Sequence, residues 1–246
     1  MRYVRPRAAS LSFRRPHETL EPGMTDLALQ RQNMVESQVR PSDVTDRRIP
    51  RAMNAVPREA FVSPGRRSLA YLDTDLPLDM PGGGPSGRVM LAPRTFAKLL
   101  QLAAVDPGDL VLDIGCGTGY SSAILARLAQ TVVALESDTA LAQEATRVLQ
   151  SQGADNVAVV HGDLPAGYPA EGPFDVIVIG GAVATVPEAL LGQLKDGGRL
   201  VAILADGRTG RALVWQRSGT AVSERDGFDA FAPFLPGFEP VRRFVF

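Results

Sequence analysis

The chain has 246 residues, 45% of them hydrophobic and 22% charged, with a formal net charge of −1 at pH 7. That balance is ordinary for a globular protein and gives no global electrostatic reason to expect nucleic acid or an anionic membrane as partner. A single cysteine, Cys116, excludes an internal disulfide and fits a reducing, cytoplasmic compartment; two histidines, His17 and His161, argue against a histidine-ligated metal site. The most apolar long stretch, 174–191, contains Asp175, Pro187 and Glu188 and reads as strand, loop and helix start rather than a membrane span.

Residues 1–23 set five arginines (2, 5, 7, 14 and 15) against Glu18 and Glu21, with neither an apolar period nor the apolar core of a secretory signal. We expect them to be a disordered extension, with Met24 a candidate natural start. From 25 the pattern turns helical: Thr25-Asp26 is a plausible N-cap, and Leu27, Leu29, Met34, Val35 and Val39 alternate with polar residues up to Pro41. After Ser42-Asp43, a short helix sets Ile49, Met53 and Val56 on one face. An acidic, proline-bearing segment at 71–77 leads into a glycine-rich loop at 81–92. Residues 24–93 are too short for an independent domain, so we expect a helical cap and loop packed on a main domain at 94–246. Helix resumes after Pro93, with Phe96, Leu99, Leu100 and Leu102 as its apolar face.

The segment 110–114 reads as a short buried strand. It runs into Asp113-Ile114-Gly115-Cys116-Gly117-Thr118-Gly119, and then opens a helix with Ile124, Leu125 and Leu128 on one face. Alternate glycines allow a sharp turn and a close approach of ligand to backbone, and the helix start offers free N–H donors. This is the pattern of a nucleotide-type pocket after the first strand of an α/β sheet. A dinucleotide fingerprint would need glycine or alanine where Tyr120 stands, and Asp113 would repel a pyrophosphate. S-adenosylmethionine, with a sulfonium, an ammonium and no phosphate, suits the carboxylate. The D-x-G-x-G-x-G pattern resembles motif I of the Rossmann-like methyltransferases. The plainer alternative is a glycine turn that only joins strand to helix. Between its glycines, Cys116 reads as a small space-filling residue rather than a nucleophile.

A second strand at 131–135 ends at Glu136, about 20 residues past the first glycine, where an acid can accept both ribose hydroxyls. A helix at 139–152 buries Leu141, Ala145, Val148 and Leu149. A third strand at 157–160 precedes His161-Gly162-Asp163, and we read His161 as a structural strand-end residue. The fourth strand, 174–179, opens into a small-residue turn at 180–184, at the sheet edge where the sulfonium should lie. A helix at 186–194, a turn at 196–198, a fifth strand at 199–204 and a hairpin of 212–216 with 221–224 follow. The tail 228–246, rich in aromatic residues and proline, is expected to pack on the sheet or border the substrate cleft.

Several motifs together resemble the protein-L-isoaspartate O-methyltransferases: N-M-V-E-S-Q-V-R-P, V-P-R-E-A-F-V, A-Y-L-D-T-D-L-P-L, the glycine motif, H-G-D at 161–163, L-L-G-Q-L-K-D-G-G-R-L-V at 190–201 and A-F-A-P-F at 230–234. The resemblance spans nearly everything from Met24 onward. It implies a Rossmann-like methyltransferase fold: a mostly parallel central sheet with helices on both faces, an N-terminal helical cap and a C-terminal β-hairpin. It also implies S-adenosyl-L-methionine as cofactor and damaged protein or peptide as substrate. The activity implied is methylation of L-isoaspartyl and D-aspartyl residues for protein repair. The cofactor residues would be Asp113, Gly115, Cys116, Gly117, Thr118, Gly119, Glu136, Gly162 and Asp163, with Asp163 accepting from the adenine amino group. The chain departs from the family in the substrate loop. If Pro93 is the family's loop proline, Leu91 stands where a serine is typical, and leucine makes no hydrogen bond. Ser86 is a candidate substitute hydroxyl. The alternative to isoaspartyl repair is a relative that binds the cofactor as a sensor or methylates another acceptor.

Overall fold

A computed structural model describes residues 24–206 and 209–240. The expectations for 1–23, and for the end of the tail at 241–246, lie outside the described residues. The cap begins with helix α1, Met24–Met34, which continues through a π-turn, Val35–Val39. Helix α2, Arg48–Ala55, and two 3-10 turns, Arg58–Phe61 and Pro64–Leu69, complete its helical part. Ile49 and Met53 of α2 are buried, as their spacing predicts.

The main sheet has seven strands. In chain order they are β3 (Leu110–Ile114), β4 (Thr131–Glu136), β5 (Val157–His161), β6 (Phe174–Val183), β7 (Leu194–Ala205), β8 (Gly210–Ser218) and β9 (Ala221–Asp229). They lie in the order β5-β4-β3-β6-β7-β8-β9; β5 through β7 run parallel and the last two antiparallel. Chain order reverses direction between β3 and β6, so their carboxyl ends flank the crevice where doubly wound sheets bind ligands. A separate two-stranded hairpin, β1 (Leu76–Asp79) with β2 (Pro85–Met90), occupies much of the expected loop.

Alternation along β3 divides the core. Val111 joins the cluster with α3 (Pro93–Ala103), α4 (Tyr120–Leu125), α5 (Thr139–Ser151) and the cap, while Leu112 and Ile114 join the opposite one. Helices thus flank both faces, but unequally. The second face is closed by the four-residue helix α6, Glu188–Leu191, together with Leu164, Leu235 and Phe238. Asp138 caps α5 by accepting from the amides of Ala140 and Leu141.

Four local expectations are corrected. The helix at 186–194 shrinks to Glu188–Leu191, because Pro187 and Gly192 bracket it. The small-residue turn at 180–184 is strand as far as Val183, with a register shift between Val178 and Ala182 absorbing the glycines. The expected turn at 196–198 belongs to β7, bulging between paired Leu194 and Arg199. The closing hairpin is longer than expected, at nine residues per strand. In the tail, Leu235 and Phe238 pack on the sheet, and Phe234 bridges to Ala182.

Candidate active site

Strand β3 delivers Asp113 to the sheet's carboxyl edge, where the side chain is fully buried. Its Oδ2 accepts from the hydroxyls of Ser121 and Ser122, both at 2.6 Å, and its Oδ1 has no hydrogen-bond partner. Burial is the main force pushing its carboxyl up to about 6, opposed by the two serines and reinforced by nearby Glu136. A buried carboxylate with one unused oxygen suits a cationic donor, since unmade buried hydrogen bonds are costly.

The loop then turns through Gly115, Gly117 and Gly119, at φ +77°, +57° and +94°. The amides of Gly115 and Cys116 donate to the Leu135 carbonyl at 2.9 and 3.3 Å, tying the loop to the end of β4. A Cβ on Gly115 would meet the Leu235 side chain at 2.7 Å, and one on Gly117 would meet Leu78 at 2.8 Å. The loop therefore carries a glycine cradle on which the chain lays its own leucines. Thr118 Oγ1 donates to the Phe61 carbonyl at 2.6 Å, fixing the loop against the cap. Cys116 is buried, and its thiol is pushed well up, by burial first and then by Asp113 and Glu136. That suits a space filler rather than a nucleophile.

Glu136, at the end of β4, is fully buried. Its Oε2 accepts from the Gly117 amide at 2.9 Å; its Oε1 accepts from the amides of Ser137 and Asp138 at 2.8 and 3.1 Å. Oε1 also accepts from Arg88 Nη2 at 2.6 Å. Glu136 pairs in register with His161, which brings Gly162 and exposed Asp163 to the same end of the sheet. The Gly162 amide donates to the Glu136 carbonyl at 3.1 Å. His161 Nε2 lies 3.0 Å from the Ser137 carbonyl.

Beside the glycine loop lies a cavity of about 30 Å³ lined by Leu78, Val89, Met90, Leu91, Phe96, Gly115, Cys116, Thr118, Tyr120, Ser121 and Gly180. It has room for a water or two. Leu91 is on its wall; Ser86 is not. The Ser86 hydroxyl donates to the Leu78 carbonyl at 2.6 Å and accepts from the Arg88 amide at 3.1 Å, inside the hairpin.

Four polar residues of this region were not singled out in the sequence: Arg58, Arg88, Ser121 and Ser122. Arg88 carried one signal, as the only charged residue in 81–92. The two serines stand directly after the glycine motif, on the first turn of α4.

A mostly parallel sheet with its glycine loop at the reversal of strand order, and buried acids at the ends of β3 and β4, defines a Rossmann-like methyltransferase. A family model for protein-L-isoaspartate (D-aspartate) O-methyltransferase matches residues 29–233. The protein-L-isoaspartate O-methyltransferase of Herpetosiphon aurantiacus is 39% identical over 190 residues, 77% of this chain and 82% of its own. That of Koribacter versatilis is 35% identical over 225 residues, 90% of this chain and 98% of its own. A solved protein-L-isoaspartate O-methyltransferase superimposes with a TM-score of 0.74 at 28% identity, covering 84% of this chain and 66% of that one. A Plasmodium falciparum structure assigned to the same family, in complex with S-adenosyl-L-homocysteine, shares the fold (TM-score 0.69, 21% identity, 82% of this chain and 96% of that one). The chain belongs to the protein-L-isoaspartate O-methyltransferase family.

Proposed function

We propose that this protein transfers the methyl group of S-adenosyl-L-methionine to the free carboxylate of L-isoaspartyl, and D-aspartyl, residues in damaged proteins or peptides. The observation that carries the reading is the pair of buried acids, Asp113 and Glu136, held on either side of the glycine loop within the span 29–233 that the family model matches. Both acids and the loop fit the cofactor chemically. Glu136 would accept from the ribose hydroxyls. Asp113 Oδ1 would take the cationic amino-acid end, and Gly115 and Gly117 would let it lie against the backbone once Leu235 and Leu78 give way, while Gly119 lets the loop pack on Leu149 and Ala145 of α5. Cys116, Thr118 and Gly162 would form walls, and Asp163 would receive the adenine amino group.

The bound cofactor supplies an electrophilic methyl on sulfur. The chain's residues would hold the acceptor carboxylate beside it. A carboxylate with a pKa near 4 is already ionised at pH 7, so no general base is needed. What remains is alignment and removal of water from the anion. Leu91, Met90, Val89 and Phe96 provide an apolar wall for both tasks. The hydroxyls of Thr118 and Ser121 at that wall are already donating, to Phe61 and Asp113. Tyr120 also lines the cavity and its buried hydroxyl has no hydrogen-bond partner, so the acceptor would be aligned by shape together with that one hydroxyl. The acceptor partner in this reading is a protein or peptide. No helix among the described residues is long and apolar enough to cross a membrane.

The test is transfer of labelled methyl to an isoaspartyl peptide, with the normal aspartyl peptide as control and Leu91→Ser alongside. Base-labile label on the isoaspartyl peptide alone is expected from the wild type. Label appearing only with Leu91→Ser would mean that the natural acceptor lies elsewhere.

A further inference from the structure

The mechanism above gives no role to Arg88, yet that side chain is only 6% exposed and reaches the centre of the site. It sits on β2, in a stretch where the hairpin ladder breaks. Val89 pairs with Pro77 and Pro85 pairs with Asp79, so Ser86, Gly87 and Arg88 together face Leu78 alone. Gly87 takes φ +73°, and the Ser86 hydroxyl bridges the Leu78 carbonyl and the Arg88 amide. Bulges of this kind re-aim side chains beside active sites. Here the bulge aims two residues at the glycine loop: Leu78 onto Gly117, and Arg88 into the Glu136 carboxylate.

The guanidinium is partly unsatisfied in that position. Nη2 donates to Glu136 Oε1 at 2.6 Å and to Ser137 Oγ at 2.8 Å, but buried Nε has no partner. Glu136 is correspondingly crowded, with Oε1 taking Arg88 and two backbone amides, and Oε2 taking Gly117. A carboxylate offers about four lone-pair positions. A ribose diol that donates two hydrogen bonds to Glu136 therefore competes with Arg88 for the same oxygens. A cationic side chain here also opposes a cofactor that itself carries a sulfonium.

We propose that Arg88 is a built-in competitor for the cofactor site: it occupies Glu136 in the free protein and must be released before the nucleoside can bind. This rests on the reading of Glu136 as the ribose acceptor. The apparent affinity is then the intrinsic affinity reduced by the fraction of molecules with Arg88 withdrawn. Because β2 leads directly into Leu91, cofactor binding would also move the strand that carries the acceptor wall. The glycine tip at 82–84, with φ between +91° and +101°, gives the hairpin a pliable end for that movement.

The test is calorimetric titration of S-adenosylhomocysteine into wild type, Arg88→Ala and Arg88→Lys, with amide hydrogen exchange followed over 76–91. Arg88→Ala is expected to bind about tenfold or more tightly than wild type, with Arg88→Lys closer to wild type. In wild type, exchange over β2 should quicken when ligand is added. Equal or weaker binding by Arg88→Ala, or unchanged exchange in wild type, would overturn the proposal while leaving the cofactor reading intact. Failure of every folded variant to bind the ligand would overturn both.

Discussion

Glu136→Ala is expected to lose detectable binding of S-adenosylhomocysteine and to lower the melting temperature of the free protein. Both effects come from the same carboxylate. Its hydrogen bonds tie Gly117, Ser137 and Asp138 to the end of β4, so truncation loosens the loop that the cofactor would lie on. It also strands Arg88, which is buried and has no other carboxylate within ion-pair distance among the described residues. Removing one member of a buried ion pair typically costs about 3–5 kcal/mol. For a domain of this size each kcal/mol is worth roughly 2–4 °C, so the expected fall is on the order of 10 °C. A thermal scan of the free protein reads this directly. A melting temperature within about 2 °C of wild type would mean that the ion pair contributes little to the fold.

The second large effect is expected at Arg58, for a different reason. This arginine is fully buried, yet it makes no salt bridge with an acid among the described residues. It donates to the Ala70 carbonyl at 2.7 Å and the Leu91 carbonyl at 2.8 Å, and its guanidinium carbon lies 4.8 Å from the centre of the Tyr120 ring. Burial lowers its pKa, and Tyr120 resists that shift. Arg58 thus ties the cap to Leu91, just past β2, and to Tyr120, the first residue of α4. Arg58→Met keeps much of the volume but leaves two carbonyls unpaired and removes a desolvated cation–π contact. The sum is about 2–4 kcal/mol of lost stability. Urea denaturation should show a lower midpoint at an unchanged slope, and Arg58→Lys should recover part of the loss. A midpoint unchanged in Arg58→Met would mean that the cap, Leu91 and α4 are held together by apolar packing alone.

The centre of the fold was legible because its signals are local. The continuous apolar runs of β3 and β4 and the 3.6-residue period of α5 place those elements within a residue or two of where they lie. The glycine motif and the spacing to Glu136 lie on adjacent parallel strands, and so they also survive translation into sequence distance. What escaped depends on pairing. The glycines of 81–87 read as an open loop, since nothing local shows that 85–90 will pair with 76–79. Gly180 and Gly181 read as a turn, yet they are strand because β7 runs alongside. Arg88 was invisible as a site residue because its partner is 48 positions away and the contact exists only through a bulge. The divergence at Leu91 was legible, but its consequence was not. The structure places Leu91 beside Val89, Met90 and Phe96 on the wall of the small cavity next to the glycine loop, a grouping that exists only in the folded chain.

On the proposed function, Glu136 and the glycine loop would hold the cofactor, and Arg88 would occupy Glu136 in the free protein. A crystal structure of the protein soaked or grown with S-adenosylhomocysteine tests it most directly. The ribose is expected on Glu136, the amino-acid end near Asp113, and Arg88 withdrawn together with the Leu76–Met90 hairpin. A nucleoside bound elsewhere, with the Arg88–Glu136 pair intact, would contradict it.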